Sequence, residues 1–104
     1  PKAYMVSDAH LDTQWNWDIQ TTIKDYVWNT ISQNLFLLKQ YPEYIFNFEG
    51  AVKYAWMKEY YPAQYEEMKK FIESGRWHIS GASWDATGTL VPSIESAIRN
   101  IMLG

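Results

Sequence analysis

The chain has 104 residues, enough for one small domain with a modest hydrophobic core. Its 12 acidic and 9 basic residues give a net charge of −3 without any basic cluster, so nucleic acid is not an expected partner. The absence of cysteine excludes disulfides and thiolate metal sites, and no apolar run is long enough to span a bilayer.

The first half of the chain predicts two strands separated by a long helix. Residues 2–7 (KAYMVS) form a short apolar run typical of a strand. Apolar residues then recur at helical spacing over residues 22–40, and Tyr41-Pro42 ends that helix because the residue before proline avoids the α region. A second strand is predicted over residues 43–49, ended by Gly50.

The second half predicts two adjacent helices, a third strand and a last helix. The helices cover residues 51–60 and 62–74, with Pro62 in the first turn of the second and Gly75 as its stop. Residues 76–80 form the third strand. After a polar stretch, Ser93 is the expected N-cap of the last helix. The apolar face of that helix comprises Ile94, Ala97, Ile98 and Ile101.

This alternation of elements predicts an α/β fold with parallel strands and covering helices. Strands separated by helices of this length are joined by right-handed crossovers. Three βα units leave bare sheet edges, which points to part of an α/β barrel or layered sheet. We therefore expect residues 1–104 to be a single incomplete domain of a longer polypeptide.

Candidate functional residues follow the predicted strands. In α/β folds, ligands bind at the carboxyl ends of the strands. The polar or aromatic residues predicted at these ends are His10, Asp12 and Trp15 after the first strand, Glu49 at the end of the second, and Trp84 and Asp85 after the third.

The spacing of His10 and Asp12 is compatible with metal binding. In extended backbone, side chains two residues apart project to the same side, with Leu11 turned toward the core. An imidazole nitrogen and a carboxylate oxygen together suit zinc. The alternative is an ordinary hydrogen-bonded loop, and spacing alone leaves both interpretations open.

Aromatic residues make up 17% of the sequence, including 6 Trp and 8 Tyr. Such residues either fill cores or stack against the flat apolar faces of sugars, and composition favours core packing. Core or interlayer packing is accordingly expected for Trp17, Trp28, Trp56 and Trp77. We also expect His78, within the third strand, to be a hydrogen-bonded core or interlayer histidine.

Four stretches, in this order along the chain, together resemble the opening of glycoside hydrolase family 38, the α-mannosidases. They are HLDTQW, YPEYIFNFEG, YYPAQYEEMKKFIESGRWHISGASWDA and VPSIESAIRNIMLG. The proline-serine-x-glutamate-serine motif before the last helix is most similar to bacterial members. The resemblance implies the first three βα units of an irregular seven-stranded β/α barrel. The remaining polypeptide would add further barrel, a helical bundle and β-sandwich regions.

The resemblance also implies an activity and assigns roles to several residues. Family members hydrolyse terminal α-mannosides with retention, using a nucleophile and an acid/base carboxyl group about 5 to 5.5 Å apart. A zinc ion held by two His and two Asp contacts sugar hydroxyls. His10 and Asp12 match the first two zinc ligands, and Trp15 matches a wall of the mannose subsite. Trp84 is a further expected substrate contact, and a mannose-containing oligosaccharide is the expected partner.

One position departs from the family pattern. In the family, the strand-three tryptophan and three variable residues are followed by an aspartate that is both nucleophile and zinc ligand. Here the stretch is WDATG, so Gly88 stands at that position and supplies neither function. Asp85 is a candidate substitute. The second zinc histidine and the acid/base group are expected beyond Gly104, so residues 1–104 alone should be inactive.

Three other functions stay open. Gly88 favours a catalytically silent relative that binds sugar without hydrolysing it. A metal-dependent carbohydrate deacetylase of related barrel type would release acetate and leave the glycosidic bond intact. A structural α/β domain without a site would bind no stoichiometric zinc.

Overall fold

The computed structural model describes residues 1–6, 8–81, 83–86 and 93–103. These residues form five α-helices, one π-helical segment and two strands. They are α1 (Ile19–Thr21), the π segment (Thr22–Val27), α2 (Trp28–Gln40), β1 (Phe46–Glu49), α3 (Ala51–Tyr60), α4 (Pro62–Glu73), β2 (Trp77–Ser80) and α5 (Ile94–Leu103).

The first helical stretch begins earlier than predicted, at Ile19 instead of Thr22. The reason is a side-chain cap: the carboxylate of Asp18 accepts a hydrogen bond from the Thr21 N–H at 2.8 Å. This hydrogen bond lowers the pKa of Asp18. The helical backbone then passes through the π segment into α2, which ends before Tyr41-Pro42 as predicted.

The two strands pair in parallel, with Phe46 opposite Trp77 and Glu49 opposite Ser80. Helices α3 and α4 connect them, and the bounds of α3 agree with the prediction. Gly75, with φ +78°, follows the end of α4 as expected, because L side chains rarely adopt that conformation. The fold is thus mixed helix and strand with a small parallel sheet, while a seven-stranded barrel stays a prediction.

The prediction of a first strand over residues 2–7 is wrong for the residues that the structure describes. Residues 1–6 form no strand, and Ser7 lies outside the described residues. One parallel bridge joins Asp8 to Asn47 at the edge of β1. The apolar side chains before it are exposed, with Val6 at 71%, so no burial of apolar surface fixes an extended ladder there.

The hydrophobic core lies where α2, α3 and α4 meet the sheet. The side chain of Trp77 is buried and contacts the Phe46 ring edge-on, with ring centroids 4.8 Å apart. Its indole N–H donates to the Tyr54 hydroxyl at 3.0 Å, and that hydroxyl donates to the Phe48 carbonyl at 2.6 Å. Other buried members of this cluster are Val27, Ile31, Leu35, Leu38, Met57 and Met68.

The structure confirms the core interpretation for Trp77 and corrects it for His78. The tryptophans at positions 17, 28 and 56 are half-buried, as partial core packing requires. His78 is exposed, because β2 buries its first residue and exposes the next two. Since successive side chains of a strand point to opposite faces of the sheet, His78 projects away from the face on which Trp77 enters the core.

Helix α5 begins at its predicted cap but does not bury its predicted face. The Ser93 hydroxyl accepts a hydrogen bond from the Ser96 N–H at 3.1 Å, which confirms the N-cap. The isoleucines of the predicted face of α5 are nevertheless exposed, including Ile94 at 82%, and Ala97 is half-buried. No helix in the described ranges is long and apolar enough to cross a membrane.

Candidate functional site

The loop that follows Asp8 brings the two predicted metal ligands together. The Nε2 atom of His10 lies 3.3 Å from Oδ1 of Asp12. Between them Leu11 is half-buried and packs against the core, as the alternating pattern predicts. The His10 side chain is 78% exposed and that of Asp12 34% exposed, so both polar groups are accessible from solvent.

These two side chains fit part of a zinc site. One nitrogen and one oxygen donor at this separation are able to approach a common ion, and both donor types are ones that zinc accepts. A catalytic zinc site takes three protein ligands. Among the described residues no group of three or more His, Cys, Asp or Glu side chains is placed to hold a metal. His10 and Asp12 therefore provide two donors, and further donors are needed.

The loop after β2 reaches the same place through Asp85. Thr13, next to Asp12, donates its hydroxyl hydrogen to Oδ2 of Asp85 at 2.6 Å. The neighbouring Trp84 is half-buried, and its carbonyl accepts from the Val52 N–H at 2.9 Å, at the start of α3. The carboxyl ends of the strands therefore converge, as expected for this class of fold.

Of the two remaining predicted site residues, the structure describes Trp15 alone. Trp15 is 73% exposed, which leaves an indole face accessible beside the His10–Asp12 loop. Gly88 lies outside the described residues. The structure thus brings His10, Asp12 and Asp85 to one region, with Trp15 exposed on the loop that carries the first two.

A buried lysine is a feature of this region that the sequence analysis missed. Lys53, in the first turn of α3, is 1% exposed, and its Nζ lies 5.2 Å from the centre of the Phe48 ring. Burial lowers the pKa of Lys53, while the charge of Asp85 and, in decreasing order, those of Glu49, Asp12 and Asp8 raise it. Four carboxylates of this region therefore act electrostatically on a buried lysine.

Helical periodicity in the sequence indicates the burial of Lys53. Lys53 precedes the buried Met57 by one helical turn, so a lysine occupies the core-facing side of α3. For Thr13 and Asn100 no local pattern existed. Their partners lie 72 and 15 residues away along the chain, and both contacts depend on the folded arrangement.

Replacing Lys53 with Met should raise the free energy of unfolding at pH 7, since the ammonium is buried and its charged form is disfavoured. The pKa of Lys53 in the folded state lies below its unfolded value of 10.5. Between these two values the unfolded chain binds more protons, so the stability of the parent protein rises with pH. The advantage of the Met variant should therefore shrink as pH approaches 10.5.

Urea unfolding at a series of pH values from 7 to 10 measures this difference. Lys58→Met, on the exposed side of the same helix, is the matched control and should show no such pH dependence. The tyrosines whose pKa is raised by burial, such as Tyr54, are present in all three proteins and cancel. An advantage for Lys53→Met that grows with pH would contradict the assignment.

Comparison with known proteins identifies the family. The sequence model described as "Glycosyl hydrolases family 38 N-terminal domain" matches residues 1–104. Alpha-mannosidase G of Dictyostelium discoideum is 30% identical over 103 residues, which cover 99% of this chain. Alpha-mannosidase of Saccharomyces cerevisiae is 28% identical over 102 residues, or 97% of this chain.

The chain spans 9% of the length of each of these two relatives. The similarity covers nearly the whole chain, including the loop with His10 and Asp12 and the loop with Trp84 and Asp85. The chain belongs to the glycosyl hydrolase family 38 N-terminal domain family, the family of the α-mannosidases.

Proposed function

We propose that these residues form the N-terminal part of the catalytic domain of a retaining, zinc-dependent α-mannosidase that acts on terminal α-mannosides of glycans. The observation that carries the proposal is the family match over residues 1–104. The approach of His10 and Asp12 to 3.3 Å, at positions that resemble the family's first two zinc ligands, supports it. The rest of a longer polypeptide would complete the site.

In this proposal His10 and Asp12 hold the ion from one side. Zinc, when bound, would supply positive charge to orient sugar hydroxyls and stabilise the distorted ring. The imidazole and carboxylate donate their lone pairs, while Leu11 anchors the backbone between them in the core. Because the two donors are on one short loop, their relative position depends on that loop being fixed.

Two tryptophans are the proposed sugar contacts. Trp15 presents an exposed indole on the same loop as the two metal ligands, and an indole face suits the apolar face of a pyranose. Trp84 is half-buried and fixed through its backbone to the start of α3 and to α5. We assign Trp15 to the wall of the mannose subsite and Trp84 to a second, more rigid contact.

A second candidate function is a catalytically silent, sugar-binding member of the family. The observation that favours it is Gly88, which replaces the aspartate expected as nucleophile and ligand. A protein of this kind would bind mannose analogues weakly through Trp15 and the metal ligands but would not hydrolyse a mannoside.

The test is hydrolysis of an aryl α-mannoside by the longer, zinc-loaded polypeptide that carries these residues, with product configuration followed by NMR. Release of α-mannose as the first product supports the retaining mannosidase. Binding of a mannose analogue without turnover supports the silent relative. Release of acetate from an acetylated sugar would replace both with a deacetylase, and absence of zinc and sugar binding would indicate a structural domain.

A further inference from the structure

We propose that Asp85 is a positioning residue: its carboxylate fastens the loop carrying His10 and Asp12 to the loop after β2, and its backbone is fastened to α5. The inference rests on the proposed function in that the fastened loop is the one assigned to the metal. Four residues form this connection, which we call the clamp: Thr22, Thr13, Asp85 and Asn100.

Both carboxylate oxygens of Asp85 accept hydrogen bonds. Oδ2 accepts from the Thr13 hydroxyl at 2.6 Å, and Oδ1 accepts from the N–H of Ala86 at 2.8 Å. A short O–H···O contact to a carboxylate is among the stronger hydrogen bonds in proteins. The Thr13 contact joins residues 72 positions apart, so it links two loops that are distant along the chain.

The backbone of Asp85 is fixed from the other side by Asn100 of α5. The Asp85 N–H donates to the Asn100 side-chain oxygen at 2.8 Å, and the Asp85 carbonyl accepts from the Asn100 amide nitrogen at 3.0 Å. The Trp84 N–H also donates to the Asn100 carbonyl at 2.7 Å. Three hydrogen bonds thus attach residues 84 and 85 to one residue of the helix.

Thr13 is fixed at its own end by a buried threonine. The hydroxyl of Thr22, which is fully buried in the π segment, donates to the Thr13 carbonyl at 2.6 Å. The indole N–H of Trp17 donates to the same hydroxyl at 2.7 Å. Because Thr13 directly follows Asp12, the clamp sets the position of a proposed metal ligand.

This arrangement favours positioning over nucleophilic attack for Asp85. A nucleophile needs a carboxylate oxygen directed at the anomeric carbon, whereas both oxygens of Asp85 are engaged within the protein. Hydrogen bonds to metal ligands orient those ligands and contribute to affinity for the ion, and the clamp would act one step further out, through the residue next to Asp12. In this view, Asp85 acts through Thr13 and does not replace the missing aspartate at position 88.

The experiment is a double-mutant cycle in the longer polypeptide with Thr13→Val, Asp85→Ala and the double variant. Zn²⁺ affinity is measured by calorimetry, and urea unfolding and amide hydrogen exchange of residues 8–18 are measured without metal. Each single variant should lower Zn²⁺ affinity by about 10- to 100-fold. The double variant should lose no more than the worse single one, because both remove the same contact.

Two controls separate the clamp from general loss of structure. Thr13→Ser keeps the hydroxyl and should restore Zn²⁺ affinity to within about threefold. Thr30→Val, in α2, makes the same chemical change away from the clamp and should leave Zn²⁺ affinity and exchange of residues 8–18 unchanged.

Additive effects of the two single variants on unfolding would overturn the clamp. So would loss of turnover in Asp85→Ala with unchanged behaviour of Thr13→Val, which is the result expected of a nucleophile. If the parent protein binds no Zn²⁺ and hydrolyses no mannoside, the proposed function fails separately. The clamp is then tested by urea unfolding and hydrogen exchange without metal. Non-additive effects of the two substitutions support it, and additive effects contradict it.

Discussion

Replacing Asp12 with Ala in the longer polypeptide should weaken Zn²⁺ binding by a factor of about 100 or more, and His10→Ala should do the same. Loss of an outer hydrogen-bond partner alone costs 10- to 100-fold in metal affinity, so loss of a direct ligand should cost at least as much. The two side chains lie 3.3 Å apart, close enough to serve as joint donors to the proposed ion. Calorimetric titration with Zn²⁺ measures the effect.

The stability of the metal-free protein should change little in either variant. His10 is well exposed, and its contact with Asp12 is a partly exposed one, of the kind that contributes little to folding. Asp25→Ala removes an exposed carboxylate from the π segment and is the matched control. Unchanged Zn²⁺ affinity in Asp12→Ala would show that this loop is an ordinary polar loop, the alternative that the spacing leaves open.

The helices could be predicted because their signals are local. Pro62 and Gly75 bracket α4, Ser93 caps α5, and the apolar spacing of α2 is sustained over several turns. The start at Ile19 depends on Asp18, whose capping hydrogen bond to Thr21 is also a local signal. The end of a helix can therefore be predicted from sequence where a side chain caps it and that cap is identified.

The predicted first strand failed for the opposite reason. A strand is stabilised by pairing with a neighbouring strand and by burial of its side chains. Residues 2–6 are exposed and unpaired in the sheet, and the bridge to β1 comes only at Asp8. The same dependence on neighbours explains α5, whose apolar face is present in the sequence but exposed in the structure. Periodicity indicates which face is apolar. It does not specify what covers that face.

The candidate site likewise combines a local contact that the sequence predicts with long-range contacts that it does not. The pairing of His10 with Asp12 follows from alternation along three residues, so the sequence predicted it. The Thr13–Asp85 contact and the burial of Lys53 against distant carboxylates arise from residues that meet only after folding. Spacing therefore predicts candidate ligands on one loop. The hydrogen bond that fixes this loop and the buried lysine near its carboxylates can be identified only from the structure.

Restoring an aspartate at position 88 should raise hydrolysis of an aryl α-mannoside by about 10⁴-fold or more, the scale on which removal of a nucleophile impairs an enzyme. The resemblance to the family assigns both nucleophile and metal ligand to this position, where the sequence has Gly88. Gly88→Asp should therefore increase Zn²⁺ affinity as well as turnover. Both are measured on the zinc-loaded longer polypeptide beside the parent protein.

The matched control is Gly88→Asn, which adds a side chain of the same size without a carboxylate that can attack. It should leave turnover at the parent level, so that a gain confined to Gly88→Asp identifies nucleophilic chemistry and not a steric effect. Equal turnover in the parent and Gly88→Asp would place the nucleophile elsewhere and make Asp85 the first residue to test. If both proteins bind a mannose analogue but hydrolyse nothing, position 88 is not the missing element and the silent sugar-binding function is favoured. In the clamp, both carboxylate oxygens of Asp85 accept hydrogen bonds within the protein. The gain in turnover of Gly88→Asp should therefore fall when Thr13 or Asp85 is also replaced, because the position of Asp12 depends on both.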